Sequence, residues 1–195
     1  MNKMKGEKTM YMNLQRFAVP ADIILGDGVF AIGPTSSGTT AIALTRGGGA
    51  FTVEREYREI TADGDYGPVS GRQRLIKSVA KLNMKLLEIV PDDMDAYHPS
   101  ISANHTTGST TAVITGAGLT SNITSSDYNF VTWTGYNKAG RQVYIELKNA
   151  INLENINWPL VDKEEVVPEL TFTAHYGATE RNVEPWKIIF TTTSS

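Results

Sequence analysis

The sequence predicts a mainly β protein of one domain, with a short helix and long loops. Three observations carry that reading. Threonine recurs inside short apolar runs such as "AVIT", "FVTWT" and "LTFTAHY", and β-branched and aromatic side chains suit a pleated surface. Gly, Ser and Thr are plentiful while strong helix formers are diluted. The 195 residues show no domain boundary and no internal repeat, and a chain of that length buries about two-thirds of its unfolded surface in a single core.

Taken in order, residues 1–17 read as a flexible N-terminal arm with Met10 or Met12 as a possible natural start, and residues 18–195 as the single β domain. "ADIILGDGVFAIG" reads as two short apolar runs around a turn at Gly26-Asp27-Gly28, and "AIALTRGGG" as a short strand ending in a glycine hinge. Residues 51–60 alternate: Phe51, Val53, Arg55, Tyr57 and Glu59 take one face, and Thr52, Glu54, Glu56, Arg58 and Ile60 the other. Flanking glycines and β-branched content favour a strand over the helical stripe that Val53, Tyr57 and Ile60 also allow.

The next segment, "RLIKSVAKLNMKLLEIV", supports two readings. Leu75, Val79, Leu82, Leu86 and Ile89 follow helical spacing, while Ile76, Ala80, Leu82, Met84 and Leu86 share one face of a strand with Lys77, Lys81, Asn83 and Lys85 opposite. "PDDMDAYHP" reads as one helical turn, with Pro91 at its first position and acids at the positive end of the dipole. Residues 100–110 read as loop and "TTAVIT" as a short strand; "NFVTWTGY", "NKAG" and "RQVYIEL" form the clearest hairpin. "KNAINLENINWPLVDK" is irregular. Two last strands, "EVVPELTFTAHY" and "EPWKIIF", flank a turn, and Pro168 makes the first an edge strand or delays its start.

Composition excludes several function classes. There is no cysteine, which removes disulfides, thiolate metal sites and cysteine nucleophiles. Eighteen basic against twenty-one acidic residues give a net charge of −3, no footprint for tight nucleic-acid binding. No run of 18 apolar residues is present to span a membrane, so no membrane contact by the chain itself is expected, and "TMYMNLQRFAVPAD" is too interrupted for a secretory signal.

Chemical motifs fail one by one. "GPTSSGTT" has the glycine spacing of a phosphate loop, but Thr39 stands where the lysine belongs. "DGDYG" echoes a calcium loop, but Arg74 takes the twelfth position and Pro68 intrudes. Asp92, Asp93 and Asp95 suit a helix start, and His98, His105 and His175 lack metal-ligand spacing. "NHT" and "NIT" match glycosylation acceptors without an export signal to give them meaning. Trp133, Trp158 and Trp186 suit core packing, or stacking on sugars if they line a groove. No residue invites the role of nucleophile, and no enzyme activity, cofactor or metal is expected.

The run "GGAFTVEREYREITADGDYGPVSGRQRLIKSVAKLNMKLLE" resembles the central hairpin of the major tail (tail tube) proteins of long-tailed bacteriophages of Gram-positive hosts. That family carries "TxExEYREIxxDGxYGPVxGxRR" followed by a long strand. Matching positions include Thr52, Glu54, Tyr57, Arg58, Glu59, Ile60, Asp63, Gly64, Tyr66, Gly67, Pro68, Val69, Gly71 and Arg74, with Gln73 a departure. "MNLQRFA" is similar to the start of many phage head and tail proteins, and "LTFTAHYGATERNVEPWKIIF" to the family's closing strands.

The resemblance implies a β-sandwich or barrel subunit of tail-tube type. Such subunits form hexameric rings with a continuous inner β-lining, stacked into a virion tail tube through which DNA passes without sticking. It implies strand over residues 72–90, assembly in the host bacterial cytoplasm, and contacts with tape-measure and tail-terminator or distal-tail proteins. Lumen candidates are Glu54, Glu56 and Glu59, with Arg58 in part compensating them, because acids repel phosphate and suppress counterion release. The tip between the long strands supplies Asp63, Asp65, Tyr66, Pro68 and Arg72 as candidates for contact with a neighbouring subunit. Two alternatives are a tube in a related injection or secretion device, and a carbohydrate-binding β-sandwich.

Overall fold

The computed structural model describes residues 20–42, 44–105, 110–118 and 122–191, so the expected arm and start lie outside the described residues. Among the described residues there are ten strands: β1 (Ile24–Gly33), β2 (Thr40–Ala41), β3 (Thr45–Glu59), β4 (Gln73–Leu86), β5 (Ile101–His105), β6 (Ala112–Gly116), β7 (Asn129–Asn137), β8 (Gln142–Ile151), β9 (Glu169–Ala174) and β10 (Trp186–Phe190). The one α-helix among the described residues, α1 (Met94–Tyr97), follows a 3-10 turn at Pro91–Asp93, so "PDDMDAYHP" folds as the single turn its proline and acids predict.

The main sheet runs β2-β1-β7-β8-β9-β4-β3, all antiparallel, with β10 beside β8; β5 and β6 form a separate pair. It bends rather than closes. β8 meets β9 only at Ala150↔Ala174 and Ile151↔Thr173, and beside this corner Asn149 takes a positive φ of 46°. Its amide donates to the His175 carbonyl at 3.3 Å, which fixes the corner. Phe30, Ile32, Val131 and Leu147 from one half then pack on Leu82, Met84, Leu86, Leu170 and Phe172 from the other. Among the described residues β3 pairs only with β4, so the two halves form a folded-over sheet and not a closed barrel.

β4 resolves the conflict between helix and strand. Ser78, Ala80, Leu82, Met84 and Leu86 are all buried, and the residues between them are less so. This is the period of two that a strand with one covered face requires. The helical stripe in the sequence is real, but pairing with β3 on one side and β9 on the other outweighs it.

Other expectations change in detail. Gly26-Asp27-Gly28 makes no chain reversal; it lies within β1, where a register shift between Ile24 and Gly28 absorbs it. β3 starts at Thr45, not Phe51, because Gly47 and Gly48, with φ of 81° and 73°, form a bulge instead of a hinge. At Gly49 a side chain would stand 2.2 Å from the Asn83 carbonyl oxygen, so only glycine allows this approach to β4. β5 occupies what reads as loop in the sequence, and β9 starts directly after Pro168 as that proline predicts.

α1 packs against the end of β8 through polar groups. The Asn152 amide donates to the Tyr97 carbonyl at 3.2 Å and lies 3.3 Å from the His98 Nδ1, which accepts when the ring is neutral. Burial pushes the His98 imidazole below its usual 6.5. Burial, with Asp93 and Glu88 nearby, pushes the Tyr97 phenol from 10.0 up to about 12. The unfolded chain therefore takes up the His98 proton first as pH falls, and loses the Tyr97 proton first as pH rises. Stability is expected to decline below pH 6.5 and again between pH 10 and 12. Thermal melts across pH check this, and in His98→Asn the part of the acid decline due to this ring should vanish.

Candidate functional site

The distinctive feature is the β3–β4 hairpin. Its inner face packs on the core through Phe51 and Val53, and the Phe51 ring packs tilted at 56° against Trp186 with centroids 5.6 Å apart. Arg55 comes next on that face and lies over the same ring, 5.8 Å from its centroid. Its outer face is wet. Alternation places Thr52, Glu54, Glu56 and Arg58 there from β3, and Lys77, Lys81, Asn83 and Lys85 from β4; Glu169, Thr171 and Thr173 of β9 extend the same face.

The outer face mixes both signs of charge. On the three-stranded body Glu54, Glu56 and Glu169 balance Lys77, Lys81 and Lys85, and further out Arg58 and Arg74 sit opposite each other. Lys81 pairs with Glu54 at 2.7 Å, and the Asn83 amide donates to Glu169 and, at 3.1 Å, to Thr171. Glu54 and Glu56 thus share one wet face. Glu59 lies on the opposite face with Tyr57 and is half-buried. The lysines of β4 were legible as a stripe in the sequence, but their place beside Glu54 and Glu56 follows only from the strand pairing.

Beyond Ser78 the hairpin leaves the body as a two-stranded arm. Its base is braced by the β9–β10 turn: Ser78 donates to Glu184 at 3.0 Å, and the Tyr176 hydroxyl to the Ser78 carbonyl at 3.4 Å. A bulge at Ile76 resets the register so that Leu75 comes opposite Tyr57. Tyr57 and Ile60 are each 57% exposed and Ile76 52%, with Leu75 exposed as well. A lone ribbon with such a surface is marginal in water.

The tip is a built loop. Asp65 accepts from the Ala62 backbone at 2.7 Å and from Arg72 at 2.6 Å, and Gly64 and Gly71 take positive φ. Asp65 and Arg72 therefore hold the loop together, whereas Asp63, Tyr66 and Pro68 are exposed, Tyr66 completely. The sequence gives no hint that Asp65 and Arg72 pair with each other.

Two further surfaces escaped the sequence. The loop after β8 exposes Leu153, Ile156, Trp158, Leu160 and Val161, with Leu160 at 78%. Between the two halves lies an apolar groove of about 270 Å³, walled in part by Phe30, Phe51, Trp133, Ile188 and Phe190. Trp133 lies over Gly28 and Gly135, and Trp186 is engaged by Phe51, Arg55 and Glu184. Of the three tryptophans Trp158 alone is exposed, and it stands in the loop, so the three rings do not make one sugar platform.

Glu146 is buried beside Lys187 at 2.9 Å and receives the Tyr144 hydroxyl at 3.3 Å, a row that ties β10 to β8. Among the described residues no three His, Asp or Glu gather as metal ligands, and no helix is long and apolar enough to cross a membrane. No protein-family model matches the chain, and no curated protein matches it.

Proposed function

We propose that the chain is a structural tube subunit, without catalytic activity. Copies join edge to edge into hexameric rings, and the rings stack into the tail tube of a bacteriophage virion, with tape-measure and terminator or distal-tail proteins as partners. The single observation that carries this reading is the β3–β4 hairpin. It has a core-packed face, a wet face of interleaved charge, an edge of fifteen residues that is unpaired among the described residues, and a two-stranded arm beyond the body.

A monomer gains nothing from leaving the edge of such a strand open. A long open edge invites pairing with another chain, and copies related by a closed rotation satisfy every edge at once. The likeness of residues 52–88 to tail-tube hairpins supports the same reading. On the three-stranded body the lining that results is balanced, not purely acidic, and Arg58 and Arg74 add positive charge further out on the arm. Each lysine near a glutamate is partly satisfied before it meets phosphate, which lowers the number of counterions that DNA could release on binding. Electron microscopy of the concentrated protein tests the proposal. Rings or tubes with sixfold symmetry are the expected result; a monodisperse monomer at every concentration and salt condition overturns it.

A further inference from the structure

The half of the fold made of β9-β4-β3 is open at both ends among the described residues. At one end is the free edge of β3. At the other, β8 covers β9 only near its C-terminal end, at Thr173 and Ala174. Among the described residues, no strand pairs with the earlier part, Glu169 to Phe172, on the side away from β4. That bare edge faces a polar groove of about 620 Å³, walled by Glu154, Asn155 and Asn157 of the loop and by Glu169 and Thr171 of β9. A groove beside an unpaired strand edge is a site for strand addition, in which main-chain groups supply the contacts.

We infer that the occupant of this groove is β3 of a second copy, so that the seam of the ring is a β9-to-β3 pair. This rests on the tube reading above and names its joint. The wet faces then run on without interruption: Thr171 shares its face with Thr52, Glu54, Glu56 and Arg58, while Leu170 and Phe172 stay in the core. Strand sense follows from the topology. β9 is antiparallel to β4 and β4 to β3, so β9 and β3 run the same way. Rotation about a ring axis keeps that sense, and each seam is therefore a parallel pair within an otherwise antiparallel lining.

The chain has no cysteine, which makes cross-linking clean. Thr171→Cys is combined in turn with Thr52→Cys, Glu54→Cys, Glu56→Cys and Arg58→Cys, all exposed or half-buried positions on one face. Positions opposite each other on neighbouring strands lie about 5 Å apart at Cα, within disulfide reach, whereas positions two strands apart, as β9 and β3 are within one copy, do not. Under mild oxidation of the assembled protein, one of these pairs or two adjacent ones are expected to give a covalent ladder ending at the hexamer, and each single variant only dimers or none. If rings form but no pair gives a ladder, the β9-to-β3 seam is overturned while the tube reading stands. If no rings form in the unsubstituted chain, both fall.

Discussion

Replacing residues 57–76 with Asn-Gly is expected to abolish assembly while leaving a folded monomer. Glu56 and Lys77 face each other directly across the hairpin, so a two-residue turn closes the shortened strands in register. The deleted part contributes little to the monomer. Tyr57, Ile60, Leu75 and Ile76 are exposed, and the bracing contacts of Ser78 with Glu184 and Tyr176 remain. Thermal melting should therefore shift by only a few degrees, while rings or tubes disappear from micrographs and the sedimenting species becomes a monomer. Assembly of the shortened chain at the same concentration would show that the arm is not part of the joint. The apolar surface of the arm gives the reason for the large effect: contact with another copy would cover side chains worth roughly 1.5–3 kcal/mol each when fully buried.

Phe172→Ala is expected to have the largest effect on stability, about 3–5 kcal/mol. Phe172 is 1% exposed and sits on β9 opposite Leu82, where the two halves of the bent sheet meet. Those halves share few backbone pairs, because β8 and β9 join at only two positions. Side-chain packing in the fold of the sheet therefore holds them together, and a cavity at Phe172 acts on both at once. Thermal or urea unfolding measures the loss, expected as a fall in melting temperature of roughly 10 °C. A loss under about 1 kcal/mol would mean that the packing relaxes to fill the space.

How far the sequence speaks differs from element to element. The β7–β8 hairpin is legible because its signals are local: alternation, then "NKAG", in which Asn137 accepts from the Ala139 and Arg141 backbones and Gly140 takes a positive φ. β4 is ambiguous because its apolar residues satisfy two periods, and only its partners β3 and β9, far away in sequence, decide between them. β5 is hidden because "ISANH" is short and polar, and its partner β6 supplies the reason to be extended. At the candidate site, the sequence shows Glu54 and Glu56 on one face of a strand. It cannot show that Lys77, Lys81 and Lys85 share that face, since this depends on register across the hairpin. Glu59 falls on the other face by the same alternation that places Glu54 and Glu56 together. The exposed loop from Leu153 to Val161 reads as irregular in the sequence, and exposure is a tertiary property that irregularity does not reveal.

The central claim is that the charged face of β3 and β4 borders a hollow shared by several copies. A three-dimensional reconstruction of the assembled protein tests it most directly. The expected map has sixfold rings in which Glu54, Glu56 and Lys81 face a continuous central channel and the β3 edge is paired with a neighbour. A map in which that face lies on the outer surface, or is buried against another chain with no channel beside it, would contradict the claim.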